Sequence, residues 1–275
     1  MLLKGLLVVI GGFVFIFASG IPMRLISRLH PDYKREGLYW GIVIWIVAFF
    51  LSGFIQNLIR QFVTGGQKNT QSANLLANFS AFLAGTILTT LLVQVGMLIY
   101  LRILQKKNED LISAGLALGF GIGLIAQVFT GLILIGVGAG IAFSHLGVDL
   151  GSGTIQVDTI NTIANDSLLN LFVALSSLIL YRVSLLTISA AQGFMIARSI
   201  KGKGSWFWFA LVVYTLFSGV IFALQVLFGE QNPGQVSLGI TSPAISIVTV
   251  IYYLIIIIFS YKWLTKELQF KLKKK

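Results

Sequence analysis

Seven long apolar runs, none with an Asp or Glu inside it, constrain this chain more than any other feature. They lie near residues 4–22, 37–59, 75–101, 112–144, 167–198, 205–228 and 243–262. About 20 apolar residues in a helix cross a hydrocarbon core of about 30 Å. Backbone polar groups inside lipid must be satisfied within the chain, which leaves helices or closed barrels. Barrel strands are short and alternating, whereas these runs are continuous. The sequence therefore predicts an all-α fold: a polytopic transmembrane helix bundle of about seven spans. Charged residues make up 11% of the chain, against roughly 25% in soluble domains.

The basic residues supply an orientation. Arg24, Arg28, Lys34 and Arg35 precede the second run; Arg102, Lys106 and Lys107 follow the third; Arg198, Lys201 and Lys203 separate the fifth and sixth. The tail adds Lys262, Lys266, Lys271, Lys273, Lys274 and Lys275. Alternation over seven spans puts all four groups on one side. The other side holds only Lys4, Arg60 and Lys68. By the positive-inside rule the C-terminus is cytoplasmic and the N-terminus outside. The formal charge of +11 thus flanks apolar spans, which implies an anionic lipid surface rather than nucleic acid. No cleavable signal peptide is expected, because the first run has only Lys4 before it. Residues 1–262 read as a single transmembrane domain. Residues 263–275 read as a basic amphipathic tail on the cytoplasmic surface. The runs 112–144 and 167–198 would form helices of about 50 Å at 1.5 Å per residue, so each must tilt, bend or project.

The fourth run carries the densest pattern, SAGLALGFGIGLIAQVFTGLILIGVGAG. Gly115, Gly119 and Gly123 recur every four residues, and Gly136 and Gly140 repeat the spacing. Such spacing makes a smooth groove. It admits either a neighbouring helix backbone or an extended peptide or lipid chain. A phosphate-binding reading of the same glycines fails, since that loop follows a strand and faces water.

GFGIGLIA at 119–126, the pair Tyr181-Arg182, and SLLTISAAQGFMIARSIKGKGSWFWFALVVYTLFSG at 184–219 resemble the YhfC-type intramembrane metalloprotease-like family, distant relatives of the CAAX-prenyl proteases. REGLYWGIVIWIVAFFLSGFIQ at 35–56 fits in order. The resemblance implies a helical membrane fold and a metal-dependent hydrolase. The residues that would carry the chemistry are replaced. The family's His and Glu positions fall on Ile122 and Ala126. The Glu of its Glu-Arg pair falls on Tyr181. Its later His and Asp positions fall near Ile188, Tyr214 and Ser218, and its acidic pair falls near Gln94. None of these side chains ligates a divalent metal strongly or serves as an ordinary general base. The chain has no Cys, and its two His are His30 and His145. No catalytic residue, metal or cofactor is expected.

Arg182 is the one charge in the middle of a run. It is permanently protonated and offers five donors. It is either a contact for a lipid phosphate, a carboxylate or a partner's acid, or a structural Arg satisfied by carbonyls, Gln94, Gln127 or Thr side chains. Tyr181 and Tyr214 complete the contact candidates. Gln94, Gln127, Gln192 and Gln225 are expected to hydrogen-bond between helices. His145 reads as interfacial, and Trp206 and Trp208 as an interfacial anchor. The functional expectation is a non-enzymatic scaffold or accessory subunit in a plasma (inner) membrane, a pseudoprotease binding lipids and another membrane protein. The alternative is a small transporter or channel for an anionic solute.

Because the chain has no Cys, single-Cys variants report topology cleanly. A membrane-impermeant maleimide added to intact cells is expected to label Ser152→Cys, and to label Asn108→Cys or Lys203→Cys only after lysis. The reverse pattern contradicts the orientation.

Overall fold

In a computed structural model the described residues are 2–18, 20, 24, 35–64, 75–107, 110–146, 167–202, 204–227 and 243–272. They form α1 (Leu2–Ala18), α2 (Arg35–Thr64), α3 (Leu75–Lys106), α4 (Leu111–His145), α5 (Leu168–Ile200), α6 (Ser205–Leu227) and α7 (Pro243–Leu272). Among the described residues there is no strand. Among the described residues five helices are long and apolar enough to cross a membrane, and Leu2–Ala18 and Ser205–Phe217 are shorter apolar helices. The chain is an α-helical bundle and an integral membrane protein.

The helices outrun the apolar stretches because nothing breaks them there. α7 crosses residues 262–263 without a break and buries Leu264 completely. Glu36 falls in the first turn of α2 and Glu267 in α7, so these two acids are helical rather than in loops. Caps mark other ends. The Asp110 side chain accepts from the Ile112 N–H at 3.2 Å, and Ser167 Oγ accepts from the Asn170 N–H at 3.1 Å. Between α5 and α6, Gly202 takes φ +107°. That conformation suits glycine and turns the chain in four residues.

Two compact units divide the chain. One comprises Met1–Pro31, Gly123–Ile188 and Leu227–Lys275; the other, Asp32–Ile122 and Ser189–Val226. In the first, Val8, Phe15, Leu134, Val137, Ile141, Leu171 and Leu175 form a core of α1, α4 and α5. A Cβ on Gly5 would meet the Gly138 carbonyl and Ala142; one on Gly12 would meet the Gly131 carbonyl and Ile135. Rising numbers on α1 meet falling numbers on α4, so the two are antiparallel. Gly123 lies against Leu186 of α5. Ser177 and Thr249 share a hydrogen bond of 3.0 Å, and the Tyr181 and Tyr253 rings lie 5.4 Å apart, so α5 and α7 are parallel.

In the second unit, Gly37 lies against Ala114 and Ala117, and Gly41 against Leu118 and Gly121. That makes α2 and α4 parallel. The Trp40 and Tyr100 rings lie 5.4 Å apart and Ile44 fills the space beside Gly96, so α2 and α3 are antiparallel. Gly115 and Gly193 meet backbone to backbone, and Gly119 meets Ser189 and Ala190, so α4 and α5 are antiparallel. Residues 111–122 of α4 and 189–197 of α5 are buried on every side. A helix apolar all round is one enclosed by neighbours.

The burial pattern is inverted relative to a soluble helix. α2 turns Gly37, Gly41, Ala48 and Ser52 inward and leaves Trp40, Val43, Val47, Phe50 and Phe54 exposed. Lipid tails are as apolar as Leu, so large side chains gain nothing by leaving them. Small ones gain close backbone packing.

Replacing Ser177 and Thr249 together by Cys is expected to give a disulfide within the chain on mild oxidation, seen as a faster-migrating band. The pair Ser177→Cys and Ile256→Cys, two turns further along α7, is expected to give none. Crosslinking of the second pair alone contradicts the parallel register of α5 and α7.

Candidate functional site

Arg182 sits near the middle of α5, half-buried. Its Cζ lies 5.1 Å from the centre of the Tyr181 ring, a cation–π contact. Tyr181 is held from two sides. Its ring packs on Tyr253 of α7, and its carbonyl accepts from Ser184 Oγ at 2.6 Å. The Arg182 Nε is buried and has no acceptor.

Gln127 reaches the same part of this unit from α4. Gly123 packs on Leu186. One further turn along each of two antiparallel helices brings Gln127 level with Arg182. Gln127 is fully buried, and its Nε2 donates to the Phe15 carbonyl of α1 at 2.6 Å. That carbonyl belongs to the last turn of α1, where helix carbonyls lack an intrahelical donor. The amide therefore ties α1 to α4. Its Oε1 has no partner.

The other unit holds Gln94 and Tyr214. Gln94 is fully buried and neither amide atom has a partner; the same is true of Gln192, at 2% exposure. The interhelical hydrogen bonds expected of the glutamines thus form for Gln127 and not for Gln94 or Gln192. Gln225's side chain lies outside the described residues. Several hydroxyls behave differently because they reach their own helix. Thr89, Thr90 and Thr130 each donate to the carbonyl four residues back, at 2.7–2.9 Å. A glutamine amide is too long for that contact and depends on a neighbour. Tyr214 is half-buried on α6.

The glycines of α4 serve more faces than their spacing showed. Gly115, Gly119 and Gly123 all face α5, so the chain's own helix occupies that groove. Gly136 is exposed with open space beside it, and Gly140 is buried. The close contacts to α1 come from Gly131 and Gly138 and the contact to α2 from Gly121, none of which the four-residue repeat picks out. A seven-residue spacing of Gly131 and Gly138, matched by Gly5 and Gly12 on α1, was the available signal.

Ile122, Ala126 and Ile188, where the resemblance puts ionisable residues, are buried and apolar. The Ser218 side chain lies outside the described residues. Among the described residues no three His, Cys, Asp or Glu side chains gather as a metal would require. Arg198, at the basic turn, lies 4.9 Å from the Phe194 ring and 5.5 Å from the Trp206 ring. No family model, curated protein or solved structure matches the chain.

Gln94→Met keeps the volume and removes two buried unpaired atoms, each of which costs about 1–3 kcal/mol when unsatisfied. Thermal unfolding in detergent is expected to show an unchanged or raised midpoint. A clear fall would mean that the amide holds a water or ligand.

Proposed function

We propose that the chain crosses a plasma (inner) membrane seven times, N-terminus outside and C-terminus in the cytoplasm, and acts there without catalysis, as a scaffold or accessory subunit that binds another membrane protein. Its proposed kinship is with the YhfC-type protease-like family, as a member that has lost the catalytic side chains. Two observations support the topology. Helix pairs one or three apart in the chain pack antiparallel, and pairs two apart pack parallel, as alternate crossings require. The basic loops fall on one side under the same alternation.

The single observation that carries the non-enzymatic reading is the identity of the mid-helix charge. It is a guanidinium, which neither accepts a proton at ordinary pH nor ligates a metal. Intramembrane hydrolysis and proton coupling both use acids or His at depth. None of the nine acids falls inside an apolar run of the sequence, and the described ones, Glu36, Asp110 and Glu267, stand at or near helix ends. A cation with no acid at its level among the described residues suits recognition. The second reading, transport of an anionic solute, is favoured by the same Arg182 and lacks a second ionisable group to couple the movement.

The test joins two measurements on the full chain. Elemental analysis of the purified protein is expected to show no stoichiometric zinc; one zinc per chain overturns the non-enzymatic reading. A photo-crosslinking amino acid at Phe50 or at Phe259, two exposed aromatics, is expected to give one discrete protein adduct in living membranes. Lipid adducts alone at both positions contradict a protein partner. Anion flux in proteoliposomes, abolished by Arg182→Met, would establish transport instead.

A further inference from the structure

Among the described residues no acid stands level with Arg182. The chain's nine acids are Asp32, Glu36, Glu109, Asp110, Asp149, Asp158, Asp166, Glu230 and Glu267. Those in described helices stand in the first turn of α2 and near the end of α7. Arg182 is fourteen residues from the start of α5 and eighteen from its end. At 1.5 Å per residue that is about 20 Å or more from either end. With the roughly 20 Å by which α5 exceeds the hydrocarbon core shared between its two ends, Arg182 lies about 10 Å inside, beyond the reach of its side chain.

What surrounds the guanidinium is partial. The Tyr181 ring supplies a cation–π face at 5.1 Å, and no acceptor meets Nε. Level with it on α4 is Gln127, fully buried, with Oε1 unpartnered while Nε2 is committed to Phe15. One neutral acceptor and one aromatic face can orient a guanidinium. They do not supply the counter-charge or the second acceptor of a bidentate pair. The missing piece is anionic, offers two oxygens, and must arrive at mid-helix depth. Phospholipid headgroups lie at the interface. A carboxylate reaches the middle when a helix carries it there.

We propose that Arg182 is the docking contact for a transmembrane helix of a partner protein bearing one Asp or Glu at mid-span, with the carboxylate taking the guanidinium fork while Gln127 Oε1 and the Tyr181 ring hold the guanidinium's remaining sides. This rests on the partner-binding reading above and names its recognition chemistry. Charge complementarity fixes the register of the partner. Its acid must stand level with Arg182, which fixes how deep the helix sits.

The test uses the full chain in neutral phosphatidylcholine vesicles at pH 8. Synthetic leucine-rich transmembrane helices, identical except for a central Glu, Gln or Leu, are titrated by fluorescence energy transfer. The Glu helix is expected to bind at least about tenfold more tightly than the Gln or Leu helix, the scale of a desolvated charge pair. Arg182→Met is expected to abolish the preference. Arg182→Lys, which keeps the charge and loses the fork, is expected to retain a reduced one. It also serves as the second variant if Arg182→Met does not fold. Equal binding of the Glu and Gln helices to the wild type overturns the proposal, as does a preference that survives in Arg182→Met. Stabilisation by added phosphatidylglycerol without any helix, lost on removing Arg182, would assign the site to a lipid phosphate and overturn it too. A discrete adduct at Phe50 or Phe259 alongside equal helix binding would leave the partner reading standing and remove only this contact.

Discussion

Gly115 of α4 and Gly193 of α5 face each other with no side chain between them, and the packing of both helices depends on that approach. In water a helix pair is driven together by burying apolar side chains. In lipid that drive is absent, and association comes from van der Waals contact and polar pairing. Backbone contact is the densest packing two helices can make. A Cβ at either glycine would collide with the carbonyl of the other, a rigid group that cannot rotate away. The consequence runs outward. With α5 drawn close on one face, α4 uses Gly121 to admit α2, and Gly131 and Gly138 to admit α1. Three neighbours reach one helix because it has no Cβ where each arrives.

Polar groups divide by reach. Several serine and threonine hydroxyls, Thr90 and Thr187 among them, bond to their own helix and need no neighbour. Gln127 needs one and has it in the Phe15 carbonyl, which lies 112 positions away in sequence. Gln94 and Gln192 have none. Arg182 is the extreme of this series, with the most donors and the largest cost when unpaired. The Tyr181 ring lies 5.1 Å from its guanidinium, and the Gly123–Leu186 contact sets Gln127 level with it by helix register. Its counter-charge is not part of the described helices.

Helix existence was legible because hydrocarbon demands length and apolarity, and both are one-dimensional properties. The runs at 75–101, 112–144 and 167–198 correspond to α3, α4 and α5 within a few residues. The ends differ where amphipathic turns follow the apolar run, as at Arg60 in α2 and Lys266 in α7, since helix propensity continues after hydropathy stops. Which glycine meets which helix was not legible. A repeat of four marks a face and leaves its partner open, so Gly136 looked equivalent to Gly115 and is exposed instead. The Tyr181-Arg182 pair was visible in sequence. The level of Gln127 beside it was not, because that follows from the register of α4 against α5.

The central claim is that backbone contact between α4 and α5 organises the bundle. A double-mutant cycle tests it most directly: Gly115→Ala, Gly193→Ala and the double variant, compared by equilibrium unfolding in detergent micelles. Each single change should destabilise by about 1–3 kcal/mol, the usual cost of overpacking. The double should cost clearly less than the sum, because the first methyl already separates the seam that the second would enter. Single variants as stable as wild type, or fully additive losses, would contradict the account.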